Sequence, residues 1–287
     1  MSYANFIPTV WAEEIQRDLE RKCVFVEDCN TSYEGIVKQK GESVKILGVG
    51  KPTIKSVLKT DRNNNIDDPE EIEDTSVIMY INQIRYFNYM VGDIDKAQAV
   101  GNVMEKLSQE TTEGLANEKD KYIAALAADK SVPKLFTEAQ KVIAGTTGTD
   151  GMNVLHVLDN ALEKLYENDV SATSDIVVTV SPRFYTLFKQ AYISKDTDNS
   201  DFMKNGKVAR YGNVTVKMSN NVYRTDSGAT DNIMIRTKRA VAFACPHVQT
   251  EAYRPEKKFA DAVKGFILFD GKVVRPKEIF NVNVKYS

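Results

Sequence analysis

The sequence predicts an α+β fold, and three regions carry that prediction. Residues 94–129 contain no proline and place apolar residues in steps of three and four, which predicts one long helix. Residues 33–91 before it and residues 239–285 after it are rich in β-branched and aromatic runs that predict strands. Helical and strand patterns thus occupy largely separate parts of the chain.

The predicted long helix constrains the shape of the subunit. Asp93 is a suitable N-cap, and Val132 precedes Pro133, which disfavours helical geometry in the residue before it. At ~1.5 Å rise per residue, a helix of roughly 36 residues spans about 54 Å. A compact globule of this chain length is only about 50 Å across. We therefore expect a flat or elongated subunit.

Two segments before the helix are expected to need support from another surface. Residues 10–23 show a short amphipathic helical pattern with Trp11 on its apolar side, and so short a helix is marginal alone. Residues 41–75 hold too few apolar residues for a core and are predicted to form a two-stranded ribbon that projects outward. Its first strand alternates around Val44 and Ile46, and a second β-prone run covers residues 53–58. An isolated ribbon is unstable in water, so it should rest on another subunit or domain.

The remaining elements follow from local patterns. Apolar residues change parity along residues 76–91, which predicts a twist or bulge near Asn82. The last strand is predicted to be half-buried, because Phe280, Val282 and Val284 alternate with polar residues. The other predicted elements are helices at 153–167 and from Pro182, and strands at 175–180, 214–218, 233–235, 241–244, 263–269 and 272–274.

Composition narrows the function classes. A net charge of −2 gives no electrostatic reason to expect nucleic-acid binding as the main activity. The longest apolar runs are far shorter than a bilayer span, and the N-terminal residues lack the basic and apolar regions of a signal peptide. Three cysteines, an odd number, fit free structural thiols in a reducing compartment.

Short motifs that suggest chemistry fail on spacing. The residues after Gly48 lack the glycine and Ser/Thr positions of a phosphate-binding loop, and the acidic stretch from Asp196 lacks the glycine and glutamate of a calcium loop. Asp226-Ser-Gly has the aspartic-protease triplet but follows a polar segment and has no second copy. His156 and His247 have no histidine at metal-ligand spacing. The sequence therefore predicts no catalytic residue, no cofactor and no metal site.

Taken in order, several segments resemble the major capsid proteins of tailed bacteriophages, which have the Hong Kong 97-like fold, and within them the podovirus coat-protein group. The specificity of the resemblance lies in the joint order of the segments, which extend over nearly the whole chain. They are Phe6–Trp11, Tyr33–Val37, Gly41–Ile46, Tyr86–Gln98, Glu251–Pro255, Phe259–Gly265 and Val273–Pro276.

The resemblance implies a division of the chain. It assigns an N-terminal arm, an extended E-loop hairpin, a peripheral domain whose spine helix is 94–129, an axial domain, and C-terminal strands that return to the peripheral domain. The corresponding residues are 1–32, 33–80, 81–145, 146–240 and 241–287.

The resemblance also implies a function: self-assembly into pentamers and hexamers that form an icosahedral head shell around packaged double-stranded DNA. The expected partners are other copies of the chain, scaffolding and portal proteins, and DNA bound without specificity on the inner face, with no membrane, and the expected location is the virion after assembly in the bacterial cytoplasm. Two alternatives stay open, the shell of an encapsulin-like nanocompartment and an enzyme with an unrecognised site. The residues predicted to contact neighbouring subunits are Trp11, Lys55, Lys59, Asp61, Arg62, Glu70 and Glu71.

Overall fold

The computed structural model describes residues 23–33, 43–46, 54, 56, 68, 76–92, 103–149, 151–193 and 208–286. Three helices lie in these ranges: α1 (Val103–Ala125), α2 (Val154–Glu167) and α3 (Pro182–Ile193). The strands are β1 (Ser43–Ile46), β2 (Val77–Tyr80), β3 (Gln83–Gly92), β4 (Gln140–Ile143), β5 (Met152–Asn153), β6 (Ile176–Val180), β7 (Val208–Tyr211), β8 (Val214–Met218), β9 (Tyr223–Thr225), β10 (Thr230–Thr237), β11 (Val241–Tyr253), β12 (Ala260–Val273) and β13 (Ile279–Lys285).

The strands form three sheets, which confirms the predicted α+β class. An eight-stranded sheet has the order β5-β4-β13-β10-β6-β8-β7, with β9 also paired to β10. A three-stranded antiparallel sheet has the order β11-β12-β3, and β1 pairs with β2 in a two-stranded ribbon. Residues 241–285 are thus divided between sheets, because β11 and β12 pair with β3 whereas β13 pairs with β10 and β4.

Helices α2 and α3 cover one face of the eight-stranded sheet, as their patterns predicted. Asn153 caps α2 by accepting a hydrogen bond from the Leu155 backbone N–H at 2.8 Å. The buried stripe of α2 includes Leu155, Leu158 and Leu165. Helix α3 begins at Pro182, where a missing N–H costs nothing. These helices pack on apolar residues of β6, β8, β10 and β13 to form one core.

The prediction that β13 is half-buried is wrong. Asn281 and Asn283 are 0% and 5% exposed, so the polar side of the strand is covered as well as the apolar side. The chain after α1 lies across that side, since the Asn281 N–H donates to Pro133 O at 2.9 Å and the Leu135 N–H donates to Asn281 O at 2.8 Å. Alternation in this strand separates an apolar face from a polar, hydrogen-bonded face rather than core from solvent.

The long-helix prediction is confirmed over the described part of the segment. Helix α1 contains 23 residues, and a 3₁₀ turn, Leu126–Ala128, closes it before Asp129. Residues 94–102 of the predicted helix lie outside the described residues, as do residues 10–22 and the 53–58 run apart from Ile54 and Ser56. The buried side of α1 packs against Phe243, Ile267 and Phe269 of the three-stranded sheet.

The change of parity near Asn82 marks a boundary between two sheets. Strand β2 pairs with β1, and β3 begins at Gln83 and pairs with β12, so Ile81 and Asn82 connect the ribbon to the three-stranded sheet. The predicted irregularity is confirmed, and it separates two elements that the sequence treated as one run.

Strands β11 and β12 are longer than predicted. The prediction ended the first at Ala244 and split the second near Asp270, whereas each runs continuously in one antiparallel hairpin. Pro246 did not end β11, because the register shifts between Ala244 and His247. A bulge on an edge strand tolerates a residue that cannot donate to the ladder.

A polar cluster fixes the point where the N-terminal residues enter the described fold. The Asp120 carboxylate of α1 accepts backbone N–H bonds from Val24 at 2.8 Å, Phe25 at 3.1 Å and Val26 at 3.4 Å. Burial raises the pKa of Asp120, and the three backbone hydrogen bonds oppose that shift. Arg236 of β10, 1% exposed, donates to Phe25 O at 2.7 Å from the sheet side. The segment is therefore held between α1 and the eight-stranded sheet.

We expect Asp120→Ala to lower the free energy of unfolding by about 3 kcal/mol, because it leaves three backbone donors without their acceptor. Chemical denaturation measures the loss, and amide exchange at residues 24–26 should become faster. The matched control is Glu110→Ala on the exposed side of α1, with an expected change within about 0.5 kcal/mol. Equal losses in the two variants would show that the carboxylate does not anchor this segment.

Candidate assembly surfaces

All seven residues predicted to contact neighbouring subunits lie outside the described residues. The structure therefore neither brings them together nor separates them, and they stay predictions. Of the segment 47–75, the described residues are Ile54, Ser56 and Asp68, and all three are exposed. Ile54 is 95% exposed, which is unusual for a large apolar side chain.

The base of the ribbon is packed on the three-stranded sheet. Val44 and Ile46 of β1 lie in register with Met79 and Val77 of β2. The buried residues of this contact are Val44, Ile46, Met79, Ile81, Ala242, Ala244 and Leu268. The ribbon thus starts from a fixed base rather than projecting from its first residue, while its other face leaves Tyr80 60% exposed.

Asp270 joins the ribbon, the sheet and the long helix at one point. Its carboxylate accepts a hydrogen bond from Tyr122 of α1 at 2.7 Å and from the Gly271 N–H at 2.7 Å. The Asn82 N–H, between β2 and β3, lies 3.5 Å from the second oxygen. Burial and the adjacent carboxylate raise the pKa of Tyr122, so its hydroxyl stays protonated and keeps donating. This contact sets the angle at which the ribbon leaves the sheet.

We expect Tyr122→Phe to cost about 1–2 kcal/mol of unfolding free energy, since it removes one buried donor from Asp270. Amide exchange at Asn82 should also become faster, because the neighbouring link is weakened. Thermal or urea unfolding and amide exchange measure the two effects. Tyr166→Phe on α2 is the control, because that side chain is 39% exposed, and a loss as large in the control would contradict a specific role for the Asp270 contact.

The three-stranded sheet uses its two faces differently. Helix α1 covers the inner face, where Leu107 lies against Phe87 and Tyr89. The ribbon base covers one end of the outer face, at Leu268. Beyond the ribbon base, Tyr86 and Met90 of β3 remain 80% and 50% exposed on that outer face. We call this uncovered part, formed by β3 and the adjacent residues of β12, the outer β3 face.

A groove of about 380 Å³ lies along the outer β3 face. Its lining residues are Tyr86, Phe87, Asn88, Gln249, Glu251, Lys264, Gly265 and Phe266. The two charges pair with each other, since Lys264 Nζ lies 3.1 Å from Glu251, and the same ammonium lies 5.0 Å from the Tyr253 ring centroid. The groove therefore presents an aromatic, locally neutral surface.

The residues that the sequence raised as possible catalytic groups have structural surroundings. Asp226 opens a tight turn with left-handed φ at Asp226, Ser227 and Gly228, and it accepts a hydrogen bond from Thr230 at 2.7 Å. His156 Nδ1 lies 2.9 Å from the Thr147 hydroxyl. Within the described ranges, no three His, Cys, Asp or Glu side chains are grouped to hold a metal ion.

The cysteines and the helices add two further observations. Cys23 and Cys29 are buried free thiols, and Cys245 is a half-buried free thiol. Burial raises the pKa of Cys23 to about 12, with a further contribution from Asp120, so this thiol stays protonated. In the part of the chain that the structure describes, no helix combines the length and apolar content needed to cross a bilayer.

Sequence reasoning missed the residues that organise these surfaces. Asp120, Asp270 and Arg236 are buried charged residues with partners far away in the chain, and neither spacing nor local composition reports such pairs. The exposed side chains of Tyr86 and Met90 carried a weak signal, because both lie on the same side of a strand whose opposite side is also apolar.

No protein-family model matches the chain, and no curated protein matches its sequence. Solved structures do match over most of its length. A structure from Mycobacterium phage Che8 has a TM-score of 0.70 at 24% identity and covers 90% of this chain and 90% of that one. The capsid structure of the cyanophage P-SCSP1u gives 0.67 at 16% identity, covering 92% of this chain and 88% of that one.

A virus-like particle from Pyrococcus furiosus also matches, with a TM-score of 0.53 at 11% identity and coverage of 94% of this chain and 96% of that one. The chain therefore has the Hong Kong 97-like fold, which confirms the predicted fold class. At these identities the likeness establishes the fold.

Proposed function

We propose that this chain is a major capsid protein, which assembles into pentamers and hexamers to form an icosahedral phage head around double-stranded DNA. The observation that carries the proposal is the match over about nine-tenths of the chain to the capsid of cyanophage P-SCSP1u. The exposed apolar residues Ile54, Tyr86 and Phe259, which are 95%, 80% and 88% exposed, support it physically. Large apolar side chains left in water favour burial against other copies.

The proposal includes a division of labour along the chain. Residues 1–32 act as the N-terminal arm, 33–80 as the E-loop, 81–145 as the peripheral domain with its spine helix, and 146–240 as the axial domain. The pairing of β13 with β10 supports extending the axial part to the last strand, while β11 and β12 join the peripheral part. Scaffolding and portal proteins, and DNA on the inner face, are the further partners, and the assembled protein resides in the virion.

The proposal gives the chain no enzymatic role. The buried ionisable groups described above support this, because Asp120, Asp270 and Arg236 each bind the protein's own backbone. Groups committed in this way hold segments in place and do not face a substrate.

A nanocompartment shell is the second candidate, favoured by the match to the virus-like particle from Pyrococcus furiosus. The two shells differ in what they enclose. Particles purified from the native source should contain genomic double-stranded DNA if the chain is a phage capsid protein, and a packaged protein if it is a compartment shell. Nuclease protection and mass spectrometry of the contents decide between them.

The direct test is the assembly state of the purified protein. We expect shells, tubes or capsomers of megadalton or near-megadalton size by electron microscopy and analytical ultracentrifugation, because interfaces of this kind bury several thousand Å² per subunit. Assembly is measured with the chain alone and with a coexpressed scaffolding protein. A stable monomer of about 32 kDa under both conditions would overturn the proposal.

We expect the charged residues of the E-loop to steer register between subunits. Lys55→Glu combined with Lys59→Glu should slow assembly about tenfold at low ionic strength, and high salt should shrink the difference because it screens exposed charges. Light scattering follows the rate. Lys130→Glu combined with Lys134→Glu provides a control with the same charge change on exposed lysines after α1. Equal slowing in both double variants would point to net charge instead of E-loop contacts.

A further inference from the structure

The outer edge of β3 is a second feature of the outer β3 face. Within the described ranges, β3 pairs with β12 alone, so its other edge carries ten residues of backbone without a described strand partner. Arg85 is the single charged residue in this strand, and it contains no proline. Long edge strands of this composition readily pair with another chain unless they are protected by charge, proline or a cover.

The occupant must come from another copy of the chain. Tyr86 keeps 80% of its surface exposed and Met90 keeps 50%, so the subunit's own segments leave this face open. The own ribbon base already packs on the same face at Leu268, which shows that the sheet accepts extended backbone there. A strand placed beside β3 would continue that covered surface.

The charges of the face indicate which segment fits. Lys264 pairs with Glu251 and lies over Tyr253, so the face has no unpaired charge to offer a charged strand. The segment 47–75 carries many charged residues, whereas residues 1–12 carry no charged side chain. Those twelve residues include Tyr3, Phe6 and Ile7, and an uncharged aromatic segment suits an uncharged aromatic groove. Pro8 is compatible, because an added strand has one edge whose N–H groups need no partner.

We propose that residues 2–9 of a second copy add to the outer edge of β3 as an extra strand and cover Tyr86. This inference rests on the proposed function, since it requires copies of the chain to assemble. The reach is sufficient: thirteen residues, 10–22, connect the segment to the anchored Cys23. Fully extended, they span roughly 43 Å, and even as a helix they span about 20 Å.

Disulfide trapping in assembled shells tests the contact. Tyr86→Cys is combined with Phe6→Cys in one chain and with Ile7→Cys in another, and the shells are oxidised with diamide. Because neighbouring residues of a strand point to opposite faces, we expect one of the two pairs to yield covalent oligomers on non-reducing gels and the other to yield few. Tyr166→Cys combined with each arm cysteine is the control and should yield none.

Hydrogen exchange provides an independent readout that needs no cysteine. We expect exchange of the 83–92 amides to slow at least tenfold on assembly of the unaltered chain, and this protection to disappear when residues 2–9 are deleted. Protection that persists after the deletion, or shells in which neither cysteine pair crosslinks, would overturn the inference while leaving the proposed function intact. Failure of the unaltered chain to assemble would instead count against the proposed function.

Discussion

The close approach of α1 to β12 is the constraint on which the rest of the described structure depends. A Cβ atom on Gly271 would lie 2.5 Å from Cδ1 of Ile123, so a larger residue would push the helix away from the sheet. At this distance Tyr122 reaches Asp270 and packs edge-on against Phe269, with ring centroids 5.5 Å apart. The helix, the sheet and the start of the ribbon are therefore fixed by one local contact.

This arrangement leaves the three-stranded sheet with two different faces. Its inner face is buried under α1, and its outer face is only partly covered by the ribbon base. A sheet used in this way gives a rigid body to which extended segments of the same or another copy can attach. The fold thus separates a stable core from surfaces whose apolar side chains are still exposed.

Local patterns predicted the elements whose apolar spacing is regular. The stripe of α2, the proline at the start of α3 and the parity change near Asn82 each had one physical interpretation, and the structure confirms them. Alternation in β13 had two, because a polar residue facing another protein layer looks the same in sequence as one facing water. Pro246 likewise looked like a strand end, since a bulge is a property of pairing and not of one strand.

The candidate surfaces were less predictable, because they arise from contacts between distant residues. Asp120 meets Val24 across 96 positions and Asp270 meets Tyr122 across 148, and a single sequence carries no record of either pair. Exposure is equally hidden: Tyr86 is as apolar as its buried neighbours, and only the position of the ribbon base determines that it stays uncovered. The seven predicted contact residues depend on a neighbouring subunit that one chain does not contain.

The buried polar groups make the final physical distinction between a shell subunit and an enzyme. Asp231, 2% exposed, accepts hydrogen bonds from Tyr286 at 2.7 Å and from Arg224 at 3.1 Å, so it ties the end of β13 and the short strand β9 to the sheet. Asp120 ties down the N-terminal entry point and Asp270 the ribbon. In each case a desolvated charge is spent on fixing the point where a segment leaves the core. Fixed exits for otherwise unsupported segments are what a subunit needs when its remaining contacts come from its neighbours.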